Sequence, residues 1–160
     1  MLVPVELAQA PLQAKVALVT LFVALAISVV TDLRRRLILN LVTLPALAIV
    51  GACFLWLGGF SLLLQSAIGA LVCAGPLALA MWRGWMGAGD VKLIAVSGAV
   101  AGAAAGWPFA LLVLLYVAIA GGIQGILWIA GARLRGLEKP KYVPYGLSIA
   151  AGTLAAFLLS

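Results

Sequence analysis

Long apolar blocks alternate along this chain with short connections that are polar, charged or rich in glycine. Each block comes near the ~20 residues with which an α-helix crosses a bilayer, and none alternates apolar and polar positions as a membrane-spanning strand does. Such blocks satisfy their own backbone hydrogen bonds in lipid as helices. The pattern predicts an all-α polytopic membrane protein with short loops, in which residues 1–160 form one membrane-embedded domain. The six predicted spans are about 14–31, 39–57, 61–82, 91–106, 108–132 and 144–159.

The composition agrees with this pattern and excludes a water-soluble globule. Hydrophobic residues make up 66% of the chain and charged residues only 9%, with a mean hydropathy of +1.27. That leaves too little polar surface to cover a soluble fold. The net charge of +6 would suggest nucleic acid in a soluble protein, but here we interpret the basic residues as signals of membrane topology and expect no nucleic acid partner.

The basic residues fall on alternate connections of the predicted bundle. Nine of the ten Lys and Arg residues follow the first, third and fifth spans, and Lys15 alone belongs to the other side. Cytoplasmic loops of membrane proteins are enriched in Lys and Arg. The basic side is therefore expected to be cytoplasmic, with both termini outside. The nine residues are Arg34, Arg35, Arg36, Arg83, Lys92, Arg133, Arg135, Lys139 and Lys141.

Small and polar residues inside the spans predict how the helices pack. The fourth span carries Gly98, Gly102 and Gly106 at four-residue spacing, a pattern that lets a second helix approach closely and suggests a central position. Gly75-Pro76 is expected to kink or locally unwind the third span. Gln65 and Gln124, each isolated in apolar surroundings, are expected to form hydrogen bonds between helices.

Two aspartates supply nearly all the acid-base chemistry available to a chain without histidine. Asp32 ends the first span and Asp90 opens the fourth, so the predicted topology brings both to the cytoplasmic face. Two carboxyls that share a partly desolvated site do not ionise together easily, so one keeps its proton and an acid stands beside a base. Such a pair can activate a water and protonate a carbonyl. This chemistry requires neither a cofactor nor a metal, and we expect none.

A purely structural interpretation of these aspartates is also open. Asp90 would then cap the fourth helix, and Asp32 would pair with the neighbouring arginines. In the catalytic interpretation, Gly87 and Gly89 permit backbone angles closed to other residues and let a substrate strand lie against the loop. A single Gly-x-Gly-Asp sequence in a chain with 18 glycines does not decide between them.

Three stretches together resemble the type IV prepilin peptidases, a family of Gly-x-Gly-Asp aspartyl proteases. Residues 32–40, an Asp followed by basic residues and ending in Ile-Leu-Asn, are similar to the motif of the first catalytic aspartate. Residues 87–92, Gly-Ala-Gly-Asp-Val-Lys, resemble the motif of the second. Residues 141–146, Lys-Tyr-Val-Pro-Tyr-Gly, resemble the segment that opens the last helix. The likeness covers nearly the whole chain from Asp32 onward.

The resemblance implies a bacterial inner-membrane aspartyl endopeptidase. Such an enzyme removes the basic leader peptide from prepilins or pseudopilins at the cytoplasmic face, so the implied partners are that substrate and membrane lipid. The resemblance implies that Asp32 and Asp90 are the catalytic pair and that Gly87 and Gly89 shape the loop. Three further residues match supporting motif positions: Asn40, Lys92 and Tyr145.

The chain also departs from the family pattern. Leu39 stands where the family usually has a proline. The larger members carry a cytoplasmic insert with paired Cys-x-x-Cys zinc ligands, which is associated with methylation of the new pilin N-terminus. The two cysteines here, Cys53 and Cys73, lie in separate apolar blocks and are expected to be small core residues. The chain therefore resembles the compact members that accompany Flp/Tad-type pili.

Two alternatives to a protease are a small proton-coupled transporter and a non-catalytic assembly subunit. In a small proton-coupled transporter the two aspartates would relay protons, but no Asp, Glu, Lys or Arg lies in the middle of a predicted span to continue the relay. In a non-catalytic subunit of a pilus or secretion assembly the aspartates would be ordinary structural groups.

Overall fold

Residues 10–134 and 144–159 are described by the structure, a computed structural model, and they are almost entirely helical with no strand among them. This confirms the all-α prediction. The part of the basic connection at 135–143, and the first nine residues, lie outside this description. The helices are α1 (Leu12–Arg35), α2 (Asn40–Trp82), α3 (Ala88–Ala105), α4 (Trp107–Leu134) and α5 (Tyr145–Leu159).

Four of these helices, α1 to α4, are long and apolar enough to cross a membrane, and α5 is a shorter apolar helix of 15 residues. Their outer faces carry many exposed large apolar side chains, among them Leu41, Trp56 and Leu71. Such faces are stable against lipid and would not be stable against water. The prediction of a polytopic membrane protein is therefore supported, but the expected count of six spans is met only in part, because blocks 39–57 and 61–82 form a single element.

That element, α2, reverses direction near its middle. Gly58 and Gly59 have non-helical backbone angles, and Gly59 has φ 62° and ψ −156°, a combination essentially restricted to glycine. A Cβ built on Gly51 would lie 3.7 Å from Cδ1 of Leu63. Twelve residues of straight helix would separate these two positions by about 18 Å. The two halves of α2 therefore fold back on each other, with the break at the predicted connection.

Helix α3 lies at the centre of the bundle, as its glycine spacing predicts. Ten of its 18 residues are buried. A Cβ added to Gly102 would come within 2.8 Å of the Gly69 Cα, and one added to Gly98 within 2.7 Å of the Cys73 Cβ. Gly106 does not join this face, because it ends the helix with a positive φ of 77°.

The predicted local unwinding at Gly75-Pro76 is wrong, since the only non-helical angles within α2 are at Gly58 and Gly59. The predicted interhelical hydrogen bonding is confirmed for Gln124, whereas Gln65 is exposed and its side chain forms no hydrogen bond with the described residues. The Gln124 side-chain amide donates to the Pro144 carbonyl at 2.8 Å and its amide oxygen accepts a hydrogen bond from the Ser148 hydroxyl. These contacts join α4 to the start of α5.

Candidate active site

Asp32 lies in the last turn of α1 and is only 5% exposed. Its Oδ2 accepts a hydrogen bond of 2.8 Å from the backbone N–H of Gly146, the second residue of α5. The approach is close, because a Cβ on Gly146 would lie 2.8 Å from that same oxygen. The end of one helix and the beginning of another thus hold this carboxyl.

Asp90 is the third residue of α3, after the N-cap residue Gly87, and is 8% exposed. Its Oδ2 accepts a hydrogen bond of 3.2 Å from the Gly87 backbone N–H. A carboxylate in the first turn that reaches back to the N-cap is a common way to satisfy a helix N-terminus. The structural interpretation of Asp90 as part of the helix cap is therefore supported by its hydrogen bond with the Gly87 N–H.

The two aspartates are brought together although 58 positions separate them in the sequence. They line one cavity of about 350 Å³ and lie close enough to interact electrostatically. The expected co-location is thus observed, at one end of the bundle. The residues that line the cavity are Asp32, Arg36, Leu37, Ile38, Asn40, Gly87, Ala88, Gly89, Asp90, Lys92 and Tyr145.

The alternative pairing of Asp32 with its neighbouring arginines is not found. Arg34 and Arg35 are exposed at the end of α1. Across residues 10–134 and 144–159, neither Asp32 nor Asp90 forms an ion pair with a Lys or Arg side chain. Each carboxyl instead has one backbone N–H donor at Oδ2, and within the same part of the chain Oδ1 of each accepts no hydrogen bond from protein.

Gly87 and Gly89 both line the cavity, but the reason offered for them needs correction. Gly87 has φ −80° and ψ 149°, which any residue can adopt, and its contribution is the N–H that reaches Asp90. Gly89 is required by close packing, because a Cβ there would lie 2.7 Å from the Cβ of Ile38 and 3.1 Å from its carbonyl oxygen. Their role in shaping the loop stays a prediction.

The supporting positions also lie at the cavity. Lys92 donates a hydrogen bond of 2.8 Å from Nζ to Oδ1 of Asn40. This contact ties the start of α2 to the first turns of α3, across a gap of 52 residues in the sequence. Tyr145, the first residue of α5, lines the cavity on its remaining side and is half-buried.

The sequence reasoning missed three residues of the site. Gly146 was seen only as part of a motif, although its N–H is the hydrogen-bond donor to Asp32. Ile38 forms the wall against Gly89, and Arg36, interpreted only as a topology signal, lines the cavity with a left-handed φ of 53°. A backbone donor leaves no side-chain signal, so only the absence of a Cβ at Gly146 could have indicated it.

The arrangement suits general acid-base chemistry. Two buried carboxyls share one small cavity, each is fixed through one oxygen, and the other oxygens are available to a water or a substrate. When two such groups lie close together in a site of low polarity, one of them holds a proton. The site therefore offers a proton donor and a proton acceptor side by side.

Comparison with known proteins gives one match. A family model described as the type IV leader peptidase family matches residues 19–126, about two thirds of the chain. The matched segment includes both aspartates and the 87–92 motif but ends before α5. No curated protein and no solved structure matches the chain.

Proposed function

Because this chain belongs to the type IV leader peptidase family, we propose that it is an aspartic endopeptidase that removes the leader peptide from prepilins or pseudopilins. The observation that carries the proposal is that Asp32 and Asp90, from α1 and α3, line the same cavity. Asp32 and Asp90 are the chain's only Asp residues, and both are buried. A buried carboxyl is costly in an apolar bundle, so such residues usually have a function.

The reaction needs only these two groups and water. The ionised carboxylate takes a proton from the water, whose oxygen bonds to the carbon of the scissile peptide carbonyl. The protonated carboxyl gives its proton to the carbonyl oxygen, which yields a neutral tetrahedral intermediate. As the C–N bond breaks, the amine nitrogen takes a proton from one carboxyl, and the other recovers a proton from the intermediate. The pair returns to its starting state with one shared proton.

We propose that the site works at the cytoplasmic face of a bacterial inner membrane. Arg34, Arg35, Arg36 and Lys92 lie at the same end of the bundle as the two aspartates, and basic residues mark the cytoplasmic side. Lys15 lines a separate apolar cleft with Leu158, near the start of α1 and the end of α5. The break in α2 and the apolar α5 support a count of six spans, with both termini on the outer side.

The substrate would lie alongside the bundle, with its apolar helix in lipid and its leader at the basic end. In this arrangement the scissile bond reaches the cavity at the membrane surface. Gly87 and Gly89 would shape the wall beside it, and Asn40, Lys92 and Tyr145 would support its binding or orientation. We propose leader cleavage as the reaction at this site.

The test is cleavage of a co-expressed prepilin by Asp32→Asn and Asp90→Asn, each made separately. Asn keeps the shape of Asp but neither ionises nor donates an acidic proton, so each variant should lose about 10²–10⁴-fold in cleavage rate. N-terminal sequencing of the pilin identifies the cut. Thr153→Val serves as a matched polar-to-apolar control, because it removes a buried hydrogen bond to Ser97 far from the cavity.

Normal leader removal by both Asn variants would contradict the proposal and favour a non-catalytic assembly subunit. Folding of each variant is checked by its thermal unfolding in detergent. A loss of cleavage counts as support only if the unfolding temperature stays near that of the Thr153→Val control.

A further inference from the structure

The start of α5 contacts Asp32 directly, through a hydrogen bond of 2.8 Å from the Gly146 backbone N–H. We infer that this helix N-terminus, held in place by Gln124, positions Asp32 for catalysis, with Gly146 as the positioning residue. The inference rests on the proposed function, because it gives Asp32 a catalytic role. The two reacting groups come from α1 and α3, and the inference gives α5 a part in orienting one of them. Helix α5 lies outside the segment matched by the family model.

The first step is the position of Asp32 on its own helix. It lies in the last turn of α1, where unpaired carbonyl groups make the environment of a carboxylate unfavourable. No Lys or Arg in the described residues forms an ion pair with it. The 2.8 Å hydrogen bond from the Gly146 N–H is its only described donor. A helix N-terminus is a favourable partner for a carboxylate, so α5 supplies what the end of α1 lacks.

The second step is steric. The Oδ2, Cβ and Cγ atoms of Asp32 would lie 2.8, 3.2 and 3.3 Å from a Cβ on Gly146. The Oδ2 side of the Asp32 side chain therefore rests against the bare backbone at this position. Only glycine leaves both the N–H and the space for the side chain, so any substitution must move Asp32 or α5.

The third step concerns what holds α5. Gln124 of α4 donates to the Pro144 carbonyl at 2.8 Å and accepts from the Ser148 hydroxyl. Pro144 and Ser148 lie two residues before and two residues after Gly146, and both are buried. One amide side chain thus holds the chain on both sides of the donor, through the Pro144 carbonyl before it and the Ser148 hydroxyl after it. We infer that the orientation of the Gly146 N–H follows from these contacts.

This arrangement predicts a specific kinetic effect. Orientation of a reacting group affects the chemical step, and a misplacement of about 1 Å can lower a rate by about 10²-fold. Gly146→Ala should therefore lower kcat by about 10-fold to 10²-fold while KM for the prepilin changes less than about twofold. Gln124→Ala, which only removes atoms, should show the same split with a smaller loss of kcat.

Two matched controls separate positioning from packing. Gly122→Ala makes the same change in α4, where a new Cβ meets nothing within 4 Å. Thr153→Val removes another interhelical hydrogen bond of α5, from Thr153 to Ser97, without touching Asp32. Both should keep kcat and KM within about twofold of the unmodified protein, since neither alters the start of α5.

Steady-state cleavage of a purified prepilin in detergent measures all four variants beside Asp32→Asn. An unchanged kcat in Gly146→Ala, with Asp32→Asn inactive, would overturn this inference and leave the proposed function standing. A raised KM at unchanged kcat would also overturn it, because α5 would then act in substrate binding. Full activity of Asp32→Asn would instead refute the proposed function. If Gly146→Ala does not fold, Gln124→Ala provides the same readout and the same decision.

Discussion

Each aspartate of the site is buried with one oxygen hydrogen-bonded to a backbone N–H and the other left for chemistry. A buried polar group without any partner costs about 1–3 kcal/mol, and a charged one costs more. Within residues 10–134 and 144–159, the two backbone donors therefore make burial tolerable without an ion pair to arginine or lysine. A carboxyl in a strong ion pair would be a poorer base, so this partial satisfaction suits the proposed reaction.

At the same scale, Gly89 tests how tightly the wall of the cavity is built. In Gly89→Ala the new Cβ would meet the Cβ and the carbonyl oxygen of Ile38 at 2.7 and 3.1 Å. Either the backbone at Ile38 or the backbone at Gly89 must therefore move. Because Asp90 directly follows Gly89, such a movement would displace its carboxyl. We expect a loss of about 1–3 kcal/mol in the free energy of unfolding and a fall in cleavage of about 10-fold or more.

Unfolding in detergent and prepilin cleavage are the two measurements for this variant. Gly125→Ala is the control, because a Cβ there meets nothing within 4 Å, and it should keep both properties. If Gly89→Ala cleaved the substrate at the normal rate, the contact between Ile38 and the Gly-x-Gly-Asp turn would have no part in the function.

Among the elements, α3 connects the site to the middle of the bundle. Its first turn carries Asp90, and Gly98 and Gly102, about two and about three turns further along the helix, lie against Gly69 of α2. Close backbone packing of this kind is a main source of helix association in lipid. The hydrophobic effect contributes little there, because the lipid tails are as apolar as the helix surfaces. The position of Asp90 is therefore set in part by contacts about 12 Å deeper in the bundle.

Gly98→Ala should disturb this contact. The added Cβ would meet the carbonyl of Gly69 and the Cβ of Cys73, and the latter lies at 2.7 Å. Overpacking of this kind typically costs about 1–3 kcal/mol in the free energy of unfolding. The change is measured by thermal or denaturant unfolding in detergent. Gly131→Ala meets nothing within 4 Å, and a loss of stability as large there would contradict this account.

The elements also show what the sequence could and could not predict. The central place of α3 followed from glycines at four-residue spacing, and the meeting of Asp32 and Asp90 followed from alternating basic connections. The start of α5 as a partner of Asp32 could not be predicted, since its donor is a backbone N–H held by Gln124. The break at Gly58 and Gly59 falls at the connection predicted between two spans, but the local unwinding expected at Gly75-Pro76 is absent from the backbone angles of α2.

Over the whole molecule, the described basic residues other than Lys15 share one end with the candidate site, and the break in α2 lies at the other end. The sidedness of these ends can be tested by labelling single cysteines in a variant carrying Cys53→Ala and Cys73→Ala. The two labelling variants are Ser61→Cys and Arg34→Cys. Ser61 lies beside the break in α2, Arg34 lies near Asp32, and both positions are exposed.

A maleimide that does not cross membranes should label Ser61→Cys in intact spheroplasts, and Arg34→Cys only after the membrane is broken. The expectation follows from the excess of Lys and Arg at the Arg34 end. Labelling is scored by a mass shift of the protein. The reverse pattern would put the site on the outer face and would contradict the proposed topology.

The hydrogen bond from Gly146 to Asp32 joins residues 114 positions apart, and this separation has a consequence for biosynthesis. A ribosome that has delivered both acids to the membrane has still not delivered the helix that orients one of them. A nascent chain that already carries both aspartates therefore lacks the contact that holds Asp32 until residue 146 has been added.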